Sequence, residues 1–133
     1  MKFQTAVVVG LAAFGTAGWL LALASPAPTA TVVRIAQLEI DAAQLPAYTA
    51  AVKEEMKDAV RLEPGVIAIY AVAEKGDPTK LFFFEIYRDE SAYVSHREAP
   101  HFKKYLAITQ PMIRSRRLIE AVPVQLSHKT TTP

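Results

Sequence analysis

Seven consecutive residues, Leu81-Phe82-Phe83-Phe84-Glu85-Ile86-Tyr87, constrain the fold of this chain more than any other stretch. Aromatic and β-branched side chains favour a pleated strand, and a strand sends alternate side chains to opposite faces. Leu81, Phe83, Glu85 and Tyr87 therefore share one face, and Phe82, Phe84 and Ile86 share the other. This is a buried-strand pattern interrupted by one carboxylate. Glu85 stands beside three large apolar groups, so it needs a partner or a raised pKa.

The period changes at Arg88-Asp89-Glu90-Ser91, where Asp89 has the chemistry of a helix N-cap. A short helix follows until Ala99-Pro100 breaks it, and His101-Phe102 opens the next. Ala92, Tyr93 and His96 fall on one side of the first of these helices, which puts His96 on the apolar face. If that helix lies over the Glu85 face, then Glu85, Tyr87 and His96 converge. Their convergence makes either a chemical site or a structural network holding a helix on a sheet, since both perturb pKa values.

Elsewhere the chain alternates between the two periods. Thr31 to Ile40 reads as a strand. A helix follows with Pro46 in its first turn, and Leu45, Tyr48, Val52, Met56, Ala59 and Val60 form its apolar side. Glu63-Pro64-Gly65 stops it, Val66 to Glu74 is a second strand, and Lys75 to Thr79 is a hairpin loop leading to the strand Leu81 to Tyr87. The helices predicted after it run from about Glu90 to Glu98 and from Pro100 to about Thr109, and a last strand is predicted from Arg117 to Leu126. Pro123 suits that strand to an edge or a bulge. The order β-α-β-β-α-(α)-β is the ferredoxin-like split βαβ, an α+β fold with one antiparallel sheet and helices on one face. The other face is left bare and apolar, and a two-fold homodimer pairing two such faces is the simplest cover.

The 133 residues suffice for one domain. Residues 1–24 stand outside it: Lys2 precedes an uncharged run from Ala6 to Ala24, with Ala22-Leu23-Ala24 before Ser25. A cleaved signal peptide and an uncleaved membrane anchor both fit this segment, and either implies export to a periplasmic or extracellular location. Residues 25–30, SPAPTA, form a Pro-containing linker, 31–126 the folded domain and 127–133 a polar tail. Without the leader, 14 basic and 13 acidic residues remain, which gives no electrostatic case for nucleic acid. Arg114, Arg116 and Arg117 read as a solvated loop or strand edge. With no cysteine, thiolate nucleophiles and zinc–sulfur sites are excluded.

Three groups of residues carry a resemblance to a known family. Glu63-Pro64-Gly65-Val66, Glu85-Ile86-Tyr87-Arg88-Asp89-Glu90, and Ala92…His96…Pro100-His101-Phe102 occur in the order and spacing of the antibiotic biosynthesis monooxygenase domain, and most resemble its quinol-monooxygenase-like branch. The similarity spans about Val32 to Val124. It implies a dimeric α+β barrel, a pocket between sheet and helices, and oxygenation of electron-rich aromatics without metal, flavin or haem. His96 matches the helix histidine of that branch, Glu85 and Tyr87 its strand-end positions, and His101 the histidine before phenylalanine. The Asn, Trp and iron-ligating His of the haem-degrading branch fall on Ala36, Tyr87 and Leu106, so haem binding by that route is not expected.

A cofactor-free oxygenase needs a substrate able to donate electrons to dioxygen, such as a deprotonated hydroquinone. It also needs a base near neutral pH and a pocket that excludes water. His96 is the expected base, Glu85 the group fixing its tautomer, and Tyr87 a hydrogen-bonding contact to a substrate oxygen. Phe83, Phe102 and Tyr105 are expected as walls, His101 as a further substrate contact, and Tyr48 as a core residue able to face the same pocket. His96 and His101 are five apart across a proline, a poor match to the i, i+4 metal pair, and no metal is expected. No Gly-rich loop follows a strand, so no nucleotide cofactor is expected either. An exported ligand-binding or dimerisation domain and an isomerase using the same histidine are the alternatives, because one fold hosts several activities.

Overall fold

The computed structural model describes residues 30–129. The leader (1–24), linker residues 25–29 and tail residues 130–133 lie outside them. Four strands and three helices follow in the order β1 (Val32–Ile40), α1 (Leu45–Leu62), β2 (Val66–Glu74), β3 (Asp77–Tyr87), α2 (Glu90–Glu98), α3 (Pro100–Thr109) and β4 (Ile113–Ala121). The strands form one antiparallel sheet in the order β2-β3-β1-β4, with β3 and β1 in the middle. This is the ferredoxin-like α+β fold.

Local chemistry sets most of the boundaries. The Asp41 carboxylate accepts from the Ala43 amide at 2.9 Å and opens a 3-10 turn ahead of α1, whose first turn carries Pro46. Tyr48, Val52, Glu55 and Ala59 are the residues α1 buries. The helix stops at Glu63, whose backbone N–H still reaches the Ala59 carbonyl while its own backbone is extended. Gly65 is required there, because a Cβ at this position would overlap the Cβ of Ala92. The first turn of α2 thus sits directly on the α1–β2 turn, and Asp89 caps it by accepting from the Ala92 amide at 2.8 Å.

The sheet register confirms the alternation read from the sequence. Leu81, Phe83 and Tyr87 are buried beneath the helices. Leu38, Ile40, Tyr48, Val52, Leu81 and Phe83 form one apolar cluster, and Ala59, Val66, Tyr87 and Ala92 a second. On the other face Tyr70 pairs with Phe84 and Val72 with Phe82. There Tyr70, Val72 and Phe82 stay 60%, 62% and 37% exposed.

Two boundaries differ from expectation. The β2–β3 loop contracts to Lys75-Gly76, because Asp77 already pairs with Glu74. Pro78 is tolerated in β3 because β1 pairs with β3 only as far as Lys80, which leaves the end of the strand without a partner on that side. The last strand begins at Ile113, not Arg117, and ends at Ala121 before Pro123. Arg114, Arg116 and Arg117 therefore belong to an edge strand, where Arg114 pairs with Asp41 at 2.7 Å.

Candidate active site

Helix α2 brings His96 down onto the strand face that carries Glu85 and Tyr87. The imidazole is 2% exposed, its ring centroid 5.3 Å from that of Tyr87 and 4.5 Å from that of Phe102. His96 Nδ1 lies 2.8 Å from Glu63 Oε1, and His101 Nε2 lies 2.7 Å from the same oxygen. A carboxylate offers only acceptors, so this network assigns the proton to Nδ1 of His96 and to Nε2 of His101. The Nε2 lone pair of His96 is left free. The nearest acid to it is Glu55, whose Oε1 stands 3.7 Å away, too far for a hydrogen bond.

Glu55 is the unusual group. It is only 6% exposed, and its Oε1 has no hydrogen-bond partner among the described residues. Burial pushes its carboxyl up to about 8, and the neighbouring carboxylates Glu85, Glu63 and Asp58 add to the shift. Glu85 is raised by burial too, against the opposing effects of the Tyr87 hydroxyl, His96 and Arg34. Tyr87 donates to Glu85 Oε2 at 2.8 Å. Further along, the Tyr48 and Tyr105 hydroxyls share a 2.7 Å hydrogen bond.

His96, Glu55, Glu85, Phe102 and Tyr105 line a cavity of about 130 Å³. Phe83, Phe102 and Tyr105 supply aromatic wall, while His96, Glu55 and Glu85 supply the buried polar groups. Such a cavity, apolar with a few convergent polar side chains, is the usual form of a small-molecule site. It can take a proton at His96 Nε2 and hold an aromatic ring against Phe102.

The sequence reading and the geometry part company at four positions. The carboxylate that fixes the His96 tautomer is Glu63, not Glu85, because the α1–β2 turn carries Glu63 to the Nδ1 edge of the ring. Tyr87 is fully buried and off the cavity wall, with its hydroxyl spent on Glu85. Tyr48 is likewise fully buried, behind Tyr105. His101 faces a separate cleft of about 80 Å³ between α1 and α3 and is tied to Glu63. Glu55 and Glu63 were not foreseen. Glu55 could have been, since it lies on the stripe of Val52, Met56 and Ala59. Glu63 ends a helix and belongs to a motif of the resemblance, but nothing in its position along the chain points to His96.

Glu55, His96 and His101 each offer one donor atom within 4.8 Å of the others, so the fold assembles a potential cation cluster that the five-residue spacing argued against. Donors around a tetrahedral ion stand roughly 3.3 Å apart at bond lengths near 2.0 Å. The three side chains would have to close to hold one.

Residues 31–107 match the family model for antibiotic biosynthesis monooxygenases, more than half of the chain. The chain belongs to the antibiotic biosynthesis monooxygenase family. Among solved structures, a protein from Bacteroides thetaiotaomicron assigned to this family is 44% identical, with a TM-score of 0.73 over 77% of this chain and 97% of that one. A monooxygenase-like protein from Lactobacillus acidophilus is 30% identical, with a TM-score of 0.65 over 68% of this chain and 45% of that one. A protein from Mycobacterium tuberculosis shares the fold at 22% identity and a TM-score of 0.67, over 74% of this chain and the whole of that one. No curated protein matches. Within the family, then, the residues to weigh in this chain are His96 with its two acids, Glu63 and Glu55.

Proposed function

We propose that this protein is a monooxygenase acting on a quinol or related hydroxyaromatic, with His96 as general base. The observation that carries the reading is the free Nε2 of His96 on the wall of an aromatic-lined cavity, with Nδ1 held by Glu63. In this reading Nε2 takes the substrate hydroxyl proton, and Glu63 steadies the imidazolium. The resulting phenolate donates electrons directly to dioxygen, so no bound cofactor is required. One oxygen atom enters the ring and the other leaves as water, with hydroquinone plus dioxygen giving hydroxyquinone plus water. Glu85, with Tyr87 behind it, and Glu55, which keeps its proton at neutral pH, line the cavity as hydrogen-bonding groups for the oxygenated intermediate.

Two wider features belong to the same proposal. The exposed apolar sheet face around Tyr70, Val72 and Phe82 pairs with a second copy to form a homodimer, which light scattering on wild type and Val72→Lys would test. The protein acts outside the cytoplasm, as the leader implies.

Dissolved-oxygen uptake with a panel of hydroquinones tests the activity, with a protein-free autoxidation control. Uptake above the control that falls at least about 10²-fold in both His96→Gln and His96→Ala, with an oxygenated product, supports the base assignment. Uptake no faster than autoxidation across the panel refutes the oxygenase. Isomerisation by the wild type without oxygen consumption would move the same base to proton-transfer chemistry.

A further inference from the structure

The cavity is electrically divided. Its most buried polar groups are His96 and the carboxyls of Glu55 and Glu85, whereas the exposed residues of its wall are Arg97, Arg116 and Leu118. The floor thus holds two acids and the open side two cations. Arg97 comes from the last turn of α2. Arg116 comes from β4, opposite Leu38 and two residues from Leu118, so its side of the strand is the cavity side. Among the described residues neither guanidinium makes an ion pair, while Arg34, Arg61, Arg88 and Arg114 each pair with a carboxylate. The nearest aromatic to Arg97 is the Tyr93 ring, with its centroid 5.9 Å away. Two guanidinium groups without a carboxylate partner on the rim of the cavity are suited to an anion, because arginine presents a planar fork matched to a carboxylate.

Size narrows the occupant further. The cavity of about 130 Å³ approaches the roughly 150 Å³ of an apolar protein cavity known to hold benzene. Its volume suits a single aromatic ring. With the hydroxyl at His96, the far side of such a ring faces the exposed rim.

We propose that the site takes a single-ring hydroxyaromatic carboxylate, with the hydroxyl at His96 and the carboxylate at an anion subsite made by Arg97 and Arg116. This rests on the reading of His96 as the hydroxyl-facing base and adds the chemical class of the substrate. The subsite also sets polarity. Among the described residues the floor offers a carboxylate no guanidinium, only the carboxyls of Glu55 and Glu85, so the ring enters hydroxyl first.

The test is a binding measurement that needs no turnover. Isothermal titration of the purified protein compares 4-hydroxybenzoate with its neutral isostere 4-hydroxybenzamide. The anion should bind at least 10-fold more tightly to the wild type, and the preference should shrink as salt rises. In Arg97→Gln/Arg116→Gln the ratio should fall to within about two-fold of unity, with the affinity for the benzamide retained. Thermal melting confirms that the variant is folded, and the single substitutions report each arginine. Equal affinities in the wild type, a preference that survives in the double variant, or no binding of either compound at 10 mM would each overturn the subsite. The two proposals fail separately. Oxygen uptake that is intact without an anion preference sinks only the subsite, and an anion preference without oxygen uptake sinks only the oxygenase.

Discussion

Replacing Glu55 with glutamine should change how stability depends on pH. The side chain is 6% exposed and its Oε1 lacks a partner among the described residues, and its carboxyl is lifted from 4.5 to about 8 by burial first and then by Glu85, Glu63 and Asp58. The charged and titratable groups around it are Glu85 and Tyr87 on β3, Asp58 and Tyr48 on α1, Glu63 just past that helix, His96 on α2, and His101 and Tyr105 on α3. Below pH 4.5 the acid is protonated in both folded and unfolded chains, and the stability linked to it is fully present. Between 4.5 and about 8 the unfolded chain releases the proton while the folded protein retains it, so stability is lost as pH rises, until both states are ionised above about 8. At about 1.4 kcal/mol per pH unit, the loss is on the order of 5 kcal/mol across that window, about 4 of it above pH 5. Glutamine has nearly the same shape and no proton to lose. Urea unfolding of both proteins from pH 5 to pH 9 should therefore show the difference, Glu55→Gln minus wild type, climbing by about 4 kcal/mol in favour of the variant. Glu85 titrates in both proteins and largely cancels in the difference. A difference flat to within about 1 kcal/mol would refute the argument, because it would mean that Glu55 ionises in the folded protein as easily as in water.

Three further outcomes follow from the contacts. Gly65→Ala must push the Ala92 Cβ away, which should cost about 1–3 kcal/mol in urea unfolding; a loss below about 0.5 kcal/mol would show that the turn and α2 separate freely. Tyr48→Phe leaves the Tyr105 hydroxyl without its 2.7 Å partner and should cost about 1 kcal/mol, whereas the double change to phenylalanine should recover part of that loss, a coupling measured by a double-mutant cycle. Glu63→Gln exchanges an acceptor of two imidazole N–H groups for an amide, and should lower kcat by at least about 10²-fold with little change in KM, because Glu63 is off the substrate cavity. A change in KM alone would contradict the positioning role.

Where the chain's punctuation is local, its structure was legible. Glu63-Pro64-Gly65, Asp89 and Ala99-Pro100 each act on their own few residues, and β2, α2 and α3 fall at the expected boundaries. The start of the last strand at Ile113, four residues ahead of Arg117, was not legible, because its first half is polar and carries no apolar pattern. Arg114, Arg116 and Arg117 read as a solvated loop or a strand edge, and the edge strand is what they form, since one side of its backbone and many of its side chains face water. The Glu85–Tyr87 hydrogen bond was legible for a simple reason. Residues two apart on a strand share a face whatever the rest of the protein does.

The carboxylate partner of His96 was not legible in that way, and the cause is physical. Glu63 and His96 are 33 positions apart, and their meeting depends on how closely α2 packs on the α1–β2 turn. That approach is set by Gly65, a residue with no chemistry of its own. Widening the turn with a Cβ would move α2 away from Glu63, so a backbone requirement and a proton-transfer requirement fall on adjacent elements. The same packing sorts two nearby acids into different roles. Glu63, the extended residue just past α1, accepts from two imidazoles, whereas Glu55 lies within the helix on its buried face, its Oε1 without a donor among the described residues. Groups of identical chemistry held in unlike surroundings take unlike roles, the one accepting from two imidazoles and the other a carboxyl whose proton burial helps retain. His96, between them, is where the two meet.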